Sequence, residues 1–535
     1  MDAFATAIKE RLDREEALRP HLFCRGYLVT DEPPECLDAY PFYGTWTQTG
    51  AGGYTILTHP EATVYSRVRE ERSAVLIGHA YDPIGGELRE EAIMDRLLDA
   101  VREGRQALLE AVNDLTGVFV LLLFSKDGLL AVQDPGGQKM LYYGKIGGRT
   151  VLTSIPQLAA DVFDLQWDRD IVRLCGSKGY YRGSGFLPGG LSPYRELTRL
   201  GANSCLLSDA SGFRTVRFYP DRERRELESE EEKQAAIEEM YRILSGNIAL
   251  AIQKWPRAGL SLTGGTDSQT AFACAKPYYG SFFCYSFESK ESEKQDADAA
   301  EKICAAAGVE HHRYLIPEDP DEIGDYAFLH QIIEHNTSHI CKLHPNEIRK
   351  YIWLRRQNDF DVEIKSDMSE VGRAYLSRKY EKVRLPRTLA PRHMTILQGR
   401  YFMEPWAMRY ADNAYEAFMK QTDLTEDING YSMHDLTYWE VRMSGWAATS
   451  LASQEYFHEI TIPYNNRRLL DLFLRFPEAD RLRDEPHHRL MRRGNPVVAD
   501  LGCSVKDSYL DKRRMLLETA YYYYATRGNT LGRKR

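Results

Sequence analysis

The chain has 535 residues, 43% hydrophobic and 27% charged, with a formal net charge of −9. That composition excludes global disorder and leaves room for roughly two to four domains. It also argues against a dedicated nucleic-acid binder, because no long basic run precedes the short tail Gly532-Arg533-Lys534-Arg535, and against a membrane span, because no apolar run approaches roughly 18 residues. The nine cysteines are scattered without a CxxC pair, so neither a zinc cluster nor a thiol-carrying active site is expected, and the odd, dispersed set fits a reducing compartment. The N-terminus is charged and lacks an apolar signal core, which makes the cytoplasm the expected location.

Residues 1–220 read as strand-rich. Residues 75–80 (VLIGHA) form an apolar strand ending in a turn. The run 118–124 (VFVLLLF) reads as a buried strand, turned back by Ser125-Lys126-Asp127-Gly128 into 129–132. Asp134-Pro135-Gly136-Gly137 breaks that strand and residues 140–143 resume it. The expectation is a β-sandwich with covering helices, one of them over 93–101. His79 reads as a turn or surface histidine. Residues 221–233 (DRERRELESEEEK) hold one apolar side chain, Leu227, and read as a solvated linker or a charged first helical turn between an N-terminal unit, 1–220, and a C-terminal unit, 234–535.

Beyond that boundary, Ile237, Met240, Leu244, Ile248 and Ile252 recur at helical spacing. The stretch 257–270 (RAGLSLTGGTDSQT) follows. Ser261 and Leu262 end a short strand, 263–266 turn, and Asp267-Ser268 open a helix. Glycines admit a close backbone approach, and the amides and dipole of a helix N-terminus attract phosphate. Asp267 would repel it unless a cation lies between them. Strand, helix and strand then alternate through 282–287, 296–307 and 309–316, and 362–365 reads as another strand. This alternation argues for a parallel sheet with its ligand at the carboxyl ends of the strands.

Thr263-Gly264-Gly265-Thr266-Asp267-Ser268 resembles the SGGxDS pyrophosphate loop of the ATP pyrophosphatase superfamily, with Thr263 in place of the first serine. Residues 115–119, 130–137 and 139–143 resemble the glutaminase domain of asparagine synthetases. Residue 2 is aspartate, where such a domain needs its cysteine nucleophile, and Ile77-Gly78-His79 stands where its Asn-Gly-Glu turn belongs. Residues 366–375 resemble that family's second motif, with Glu370, Val371 and Tyr375 in register and Ser369 in place of the metal aspartate. Residues 459–466 and 469–477 resemble its closing motif. His488 falls at the place of its lysine, with Arg489 or Lys506 as alternative charges.

The resemblance implies an α/β protein: an N-terminal degenerate Ntn-type glutaminase-like β-sandwich with helices, then a C-terminal parallel-sheet ATP pyrophosphatase (adenine nucleotide α-hydrolase-like) domain. It implies ATP and Mg²⁺. Ser261, Thr263, Gly264, Gly265, Thr266, Asp267 and Ser268 would bind the nucleotide, and Asp267 and Glu370 (or Asp367) the metal. His488 or Arg489 would stabilise the transferring acyl group, with Glu459 a structural or substrate-orienting acid. The expected activity is ATP-dependent amide formation between a small-molecule or peptide carboxylate and an amine, without glutamine hydrolysis. An intramolecular lactam or macrolactam cyclase and a nucleotide-binding pseudoenzyme are the alternatives. No nucleic-acid or membrane partner is expected, and a homodimer is left open.

Overall fold

Period-two patterning in the first 217 residues builds two six-stranded antiparallel sheets. In the computed structural model, which describes residues 3–177, 179–180, 185–340, 343–383, 385–398, 404–425, 428–502 and 509–527, one sheet runs Leu197–Arg199, Tyr142–Ile146, Arg149–Thr153, Tyr27–Thr30, Tyr54–Thr58, Thr47–Ala51. The other runs Gly212–Arg217, Ser204–Asp209, Gly128–Gln133, Thr116–Ser125, Arg72–Tyr81, Val64–Arg69. Val29, Ile56 and Leu152 of the first meet Val75, Ile77, Val120 and Leu122 of the second in a shared core. The alternate residues Leu76, Leu121 and Leu123 point the other way, into the core that includes helices Glu90–Glu103 and Arg105–Val112. Covering both faces is why the run 118–124 is continuously apolar instead of alternating.

The third sheet holds five parallel strands in the order His312–Leu315, Phe283–Glu288, Ala258–Ser261, Val362–Ile364, Glu459–Thr461. By chain order this is 3-2-1-4-5, so the winding reverses between Ala258–Ser261 and Val362–Ile364. The loops that follow these two strands lie at the carboxyl edge, which is where open α/β sheets receive ligands. The chain is thus mixed α/β, antiparallel in its N-terminal part and parallel in its C-terminal part.

The charged stretch before the parallel sheet is not a solvated linker. Leu227 is buried and its amide donates to Arg475 O at 2.9 Å. Arg224 Nε donates to Leu474 O at 2.7 Å. Ser229 caps the helix Glu230–Lys254 with a complete capping box closed by Glu232, and Glu230, Glu231 and Glu232 fill the positive first turn. The high charge density there comes from a helix start and a pinned strap, two things a composition count does not separate from a free linker.

The sandwich is bolted to the parallel-sheet part by buried polar groups. Asn465 Nδ2 donates to Asp134 Oδ1 at 2.8 Å and to Gly117 O at 2.7 Å, while its Oδ1 accepts from Gly136 N at 2.7 Å. A π-helix, Tyr438–Ala447, lies against the same face. Its Glu440 pairs with Arg217 at 2.6 Å, and Trp439 Nε1 donates to Pro135 O at 2.8 Å. Asn465→Ala removes one side of three buried hydrogen bonds, one of them to the Asp134 carboxylate. Gly136 N and Asp134 Oδ1 keep each other at 3.1 Å, so Gly117 O is the partner that loses this donor. One orphaned buried group costs about 1–3 kcal/mol, and a loss of that size is expected in urea unfolding; an Asn465→Ala curve coincident with wild type would refute the bolt.

Candidate active site

Three segments converge at the carboxyl edge of the parallel sheet: the loop 263–268, the loop 366–373 and the helix Glu485–Gly494. The first loop is shaped by its own hydroxyls. Thr263 Oγ1 and Ser268 Oγ lie 2.9 Å apart, Gly265 N donates to Thr263 Oγ1 at 3.1 Å, and Thr263 N donates to Ser268 Oγ at 3.2 Å. Thr263 keeps the hydroxyl that a serine would supply, so the substitution leaves this network intact. The helix Thr266–Cys274 starts at Gly265 with no side-chain cap, which leaves first-turn amides open to an anion. Gly264 N donates to Asp296 Oδ1 at 3.1 Å, so a carboxylate already sits where the loop offers an amide. Ser261 is turned away from this loop: its hydroxyl supports Glu363 on the neighbouring strand.

Asp267 is the hub. Its Oδ1 accepts from Ser369 Oγ at 2.6 Å, and its Oδ2 accepts from Arg373 Nη1 at 2.8 Å. Ser369 Oγ is also 2.8 Å from His487 Nε2. The Ser369 proton goes to Asp267, so His487 Nε2 must be the donor in that pair, and Nδ1 then bears no hydrogen. His487 Nδ1 is indeed buried without a partner. The ring stacks on Phe473 at 4.6 Å, and burial lowers its pKa to about 4, so it is a neutral, fixed donor.

Glu370 lies beside this hub. Burial, and then the Asp267 and Asp367 charges, raise its carboxyl to about 8, and its Oε2 is buried with no partner. With no cation facing it, the group is held toward its protonated form. Each Asp267 oxygen accepts one hydrogen bond, and among the described residues no group of three or more His, Cys, Asp or Glu side chains is placed to hold a metal ion. The expected Asp267–Glu370 metal pair therefore does not fit a protein-held ion. On the adjacent strand, Glu363 has its pKa lowered: burial acts upward, and Lys365, His458 and Ser261 outweigh it.

The geometry brings together Asp267, Glu370 and the loop, and besides Ser261 it leaves His488, Arg489 and Glu459 elsewhere. His488 is exposed, one residue past the histidine that does enter the site. Arg489 pairs with Glu230 and Glu485 at 2.8 Å each. Glu459 begins its strand, and its Oε1 meets His79 Nδ1 at 2.8 Å, tying the sandwich to the sheet instead of facing the carboxyl edge. His79, expected in a turn or at the surface, is buried within Arg72–Tyr81, where Gly78 at φ +101° passes too close to Val118 O for any side chain. Lys506 lies outside the described residues.

Four contributors escaped the sequence reading: Ser369 as a hydrogen-bond donor, Arg373, His487 and Asp296. For His487 a signal existed. On a helix it shares a face with Leu490 and Met491, three and four residues on, and both are buried. His488 shares its face with exposed Arg492. For Arg373 and Asp296 no local pattern points inward.

Residues 243–337 match the asparagine synthase family model. Asparagine synthetase [glutamine-hydrolyzing] 1 of Bacillus subtilis (strain 168) is 23% identical over 270 residues, which span 50% of this chain and 40% of that relative. Two solved structures share 11% and 10% identity at TM-scores of 0.23 and 0.24. They are the glutamine phosphoribosylpyrophosphate amidotransferase from B. subtilis complexed with ADP and GMP, and the allosteric regulatory enzyme of purine biosynthesis. The alignments cover 46% and 61% of this chain, and 56% and 88% of those chains. Neither superposes closely enough to argue from.

The Glu370 value has a sign that can be tested. Its folded pKa, about 8, lies above the ordinary 4.5, so the stability it contributes is present below ~4.5 and is lost as pH rises to about 8. Glu370→Gln cannot ionise. The variant should gain on wild type in melting temperature as pH climbs from about 5 to about 8, then hold that gain. A pH-independent difference would show that Glu370 is not protonated in the folded chain.

Proposed function

We infer that this chain, which belongs to the asparagine synthetase superfamily, is an ATP-dependent ligase that joins a carboxylate to an amine through an acyl-adenylate. The observation that carries this reading is the placement of the uncapped helix start at Thr266 beside the Ser369–Arg373 turn, across the reversal point of a 3-2-1-4-5 parallel sheet. In this reading ATP enters as its magnesium salt. The loop amides and the hydroxyls of Thr263 and Thr266 receive the β- and γ-phosphates. A carboxylate oxygen of the substrate attacks the α-phosphorus, the bond from that phosphorus to the β-phosphate oxygen breaks, and pyrophosphate leaves into the loop. The amine then attacks the acyl carbon and AMP departs. The protein's share is alignment and charge neutralisation.

The amine is not drawn from glutamine hydrolysis by Cys24. That thiol is buried and burial raises its pKa, the reverse of what an attacking thiolate needs. A second reading, nucleotide binding without chemistry, is favoured by one observation: Asp267 is already held by Ser369 and Arg373.

Substrate-dependent exchange of labelled pyrophosphate into ATP separates the two. With a panel of carboxylic acids and peptides, wild type should exchange with at least one acid, and Asp267→Ala should lose about a hundredfold or more of that rate, the scale of removing one charge-positioning group from a transition state. Nucleotide binding with no exchange for any acid would leave the pseudoenzyme.

A further inference from the structure

A carboxylate in the first turn of a helix that receives phosphate repels its own ligand unless a cation stands between them. Here a side chain stands at that carboxylate. Arg373 ends the short turn Ser369–Arg373 and donates from Nη1 to Asp267 Oδ2 at 2.8 Å. Its Nε and Nη2 donate to Asp484 at 2.8 and 2.9 Å. Arg378 also donates to Asp484, at 2.5 and 3.0 Å. The backbone aims the arginine. Gly372 packs on Phe473, whose ring atoms would lie 2.7 Å from any added Cβ, and Ala374 follows at φ +47°.

Charge and donor geometry then agree. Asp267 and Asp484 against Arg373 and Arg378 sum to zero, so the cluster does not repel an anion as a bare Asp267 would. A guanidinium has five N–H donors in a planar fork; three are used on the two carboxylates, and two remain for an oxygen acceptor. Among the described residues the other cations of the region are engaged: Arg489 with Glu230 and Glu485, and Lys365 with Glu363, while His487 is neutral. A divalent ion at Asp267 would have to approach against the positive charge of the Arg373 guanidinium, 2.8 Å from Oδ2.

We propose that Arg373 is the built-in counter-cation of the phosphate loop, contacting the pyrophosphate of the nucleotide directly, so that pyrophosphate is anchored there without a protein-held divalent ion. This rests on the reading of residues 263–268 as the pyrophosphate loop. Arginine suits the task because its fork matches two phosphate oxygens and its charge does not titrate.

The test is titration calorimetry of the full chain with inorganic pyrophosphate, once in EDTA and once with magnesium. Wild type should bind in EDTA. Arg373→Met should bind about 10- to 100-fold more weakly in EDTA, the range for lost charged hydrogen bonds, and recover in part with magnesium. Asp484→Asn keeps the guanidinium and takes the cluster from zero to one net positive charge, so it should bind pyrophosphate more tightly in EDTA; this variant decides the matter if Arg373→Met does not fold. Wild-type binding seen only with magnesium, Arg373→Met binding as wild type does, or Asp484→Asn failing to tighten would each overturn the proposal. Failure of the loop reading has a separate signature, no pyrophosphate binding by wild type in either buffer, and it overturns both.

Discussion

The neutralisation of Asp267 is the constraint around which the C-terminal part is arranged. The residue stands at the opening turn of a helix that follows the central strand of a parallel sheet, where helix dipole and sheet topology both favour an anionic ligand. A carboxylate there is stable only if something positive or hydrogen-donating faces each oxygen. Ser369 answers one and Arg373 the other, and both lie in a single short turn that follows the neighbouring strand Val362–Ile364. His487 holds Ser369 in turn. The resulting chain of contacts, His487 to Ser369 to Asp267 to Arg373 to Asp484, knits three separate segments into one surface.

Glu370 shows the cost of concentrating acids at this edge. Asp267 is satisfied, so the neighbouring carboxyl has no cation of its own and is held toward its protonated form. A buried acid with one oxygen unpartnered is poised to change state when the charge around it changes. Arrival of a polyanionic nucleotide with its counter-ions is such a change, and Glu370 lies within electrostatic reach of the groups that would meet it.

The sandwich contributes by bracing. Its surface toward the parallel sheet is written in buried polar contacts: Asn465 with Asp134, Arg217 with Glu440, and His79 with Glu459. The π-helix Tyr438–Ala447 supplies Glu440 and, one residue earlier, Trp439, whose Nε1 donates to Pro135 O. Buried hydrogen bonds of this kind fix relative position more tightly than apolar packing does, because displacement leaves polar groups unsatisfied. Such a brace holds the strand Glu459–Thr461, and with it the sheet edge, in register.

The sequence by itself determined the local elements and their order. Apolar runs broken by glycine and proline marked the antiparallel strands, and helical periodicity marked the helix that opens at Glu230. The turn 263–266 announced an anion site, because glycines, hydroxyls and a helix start are chemically legible wherever they sit. Whether a charged stretch is free or pinned depended on packing against distant segments. The largest difference concerns Arg373: its meeting with Asp267, 106 residues earlier, arises only when two strands become neighbours in the sheet. Electrostatic partnership acts through space, so only the tertiary structure decided which cation serves the carboxylate that the sequence had already placed.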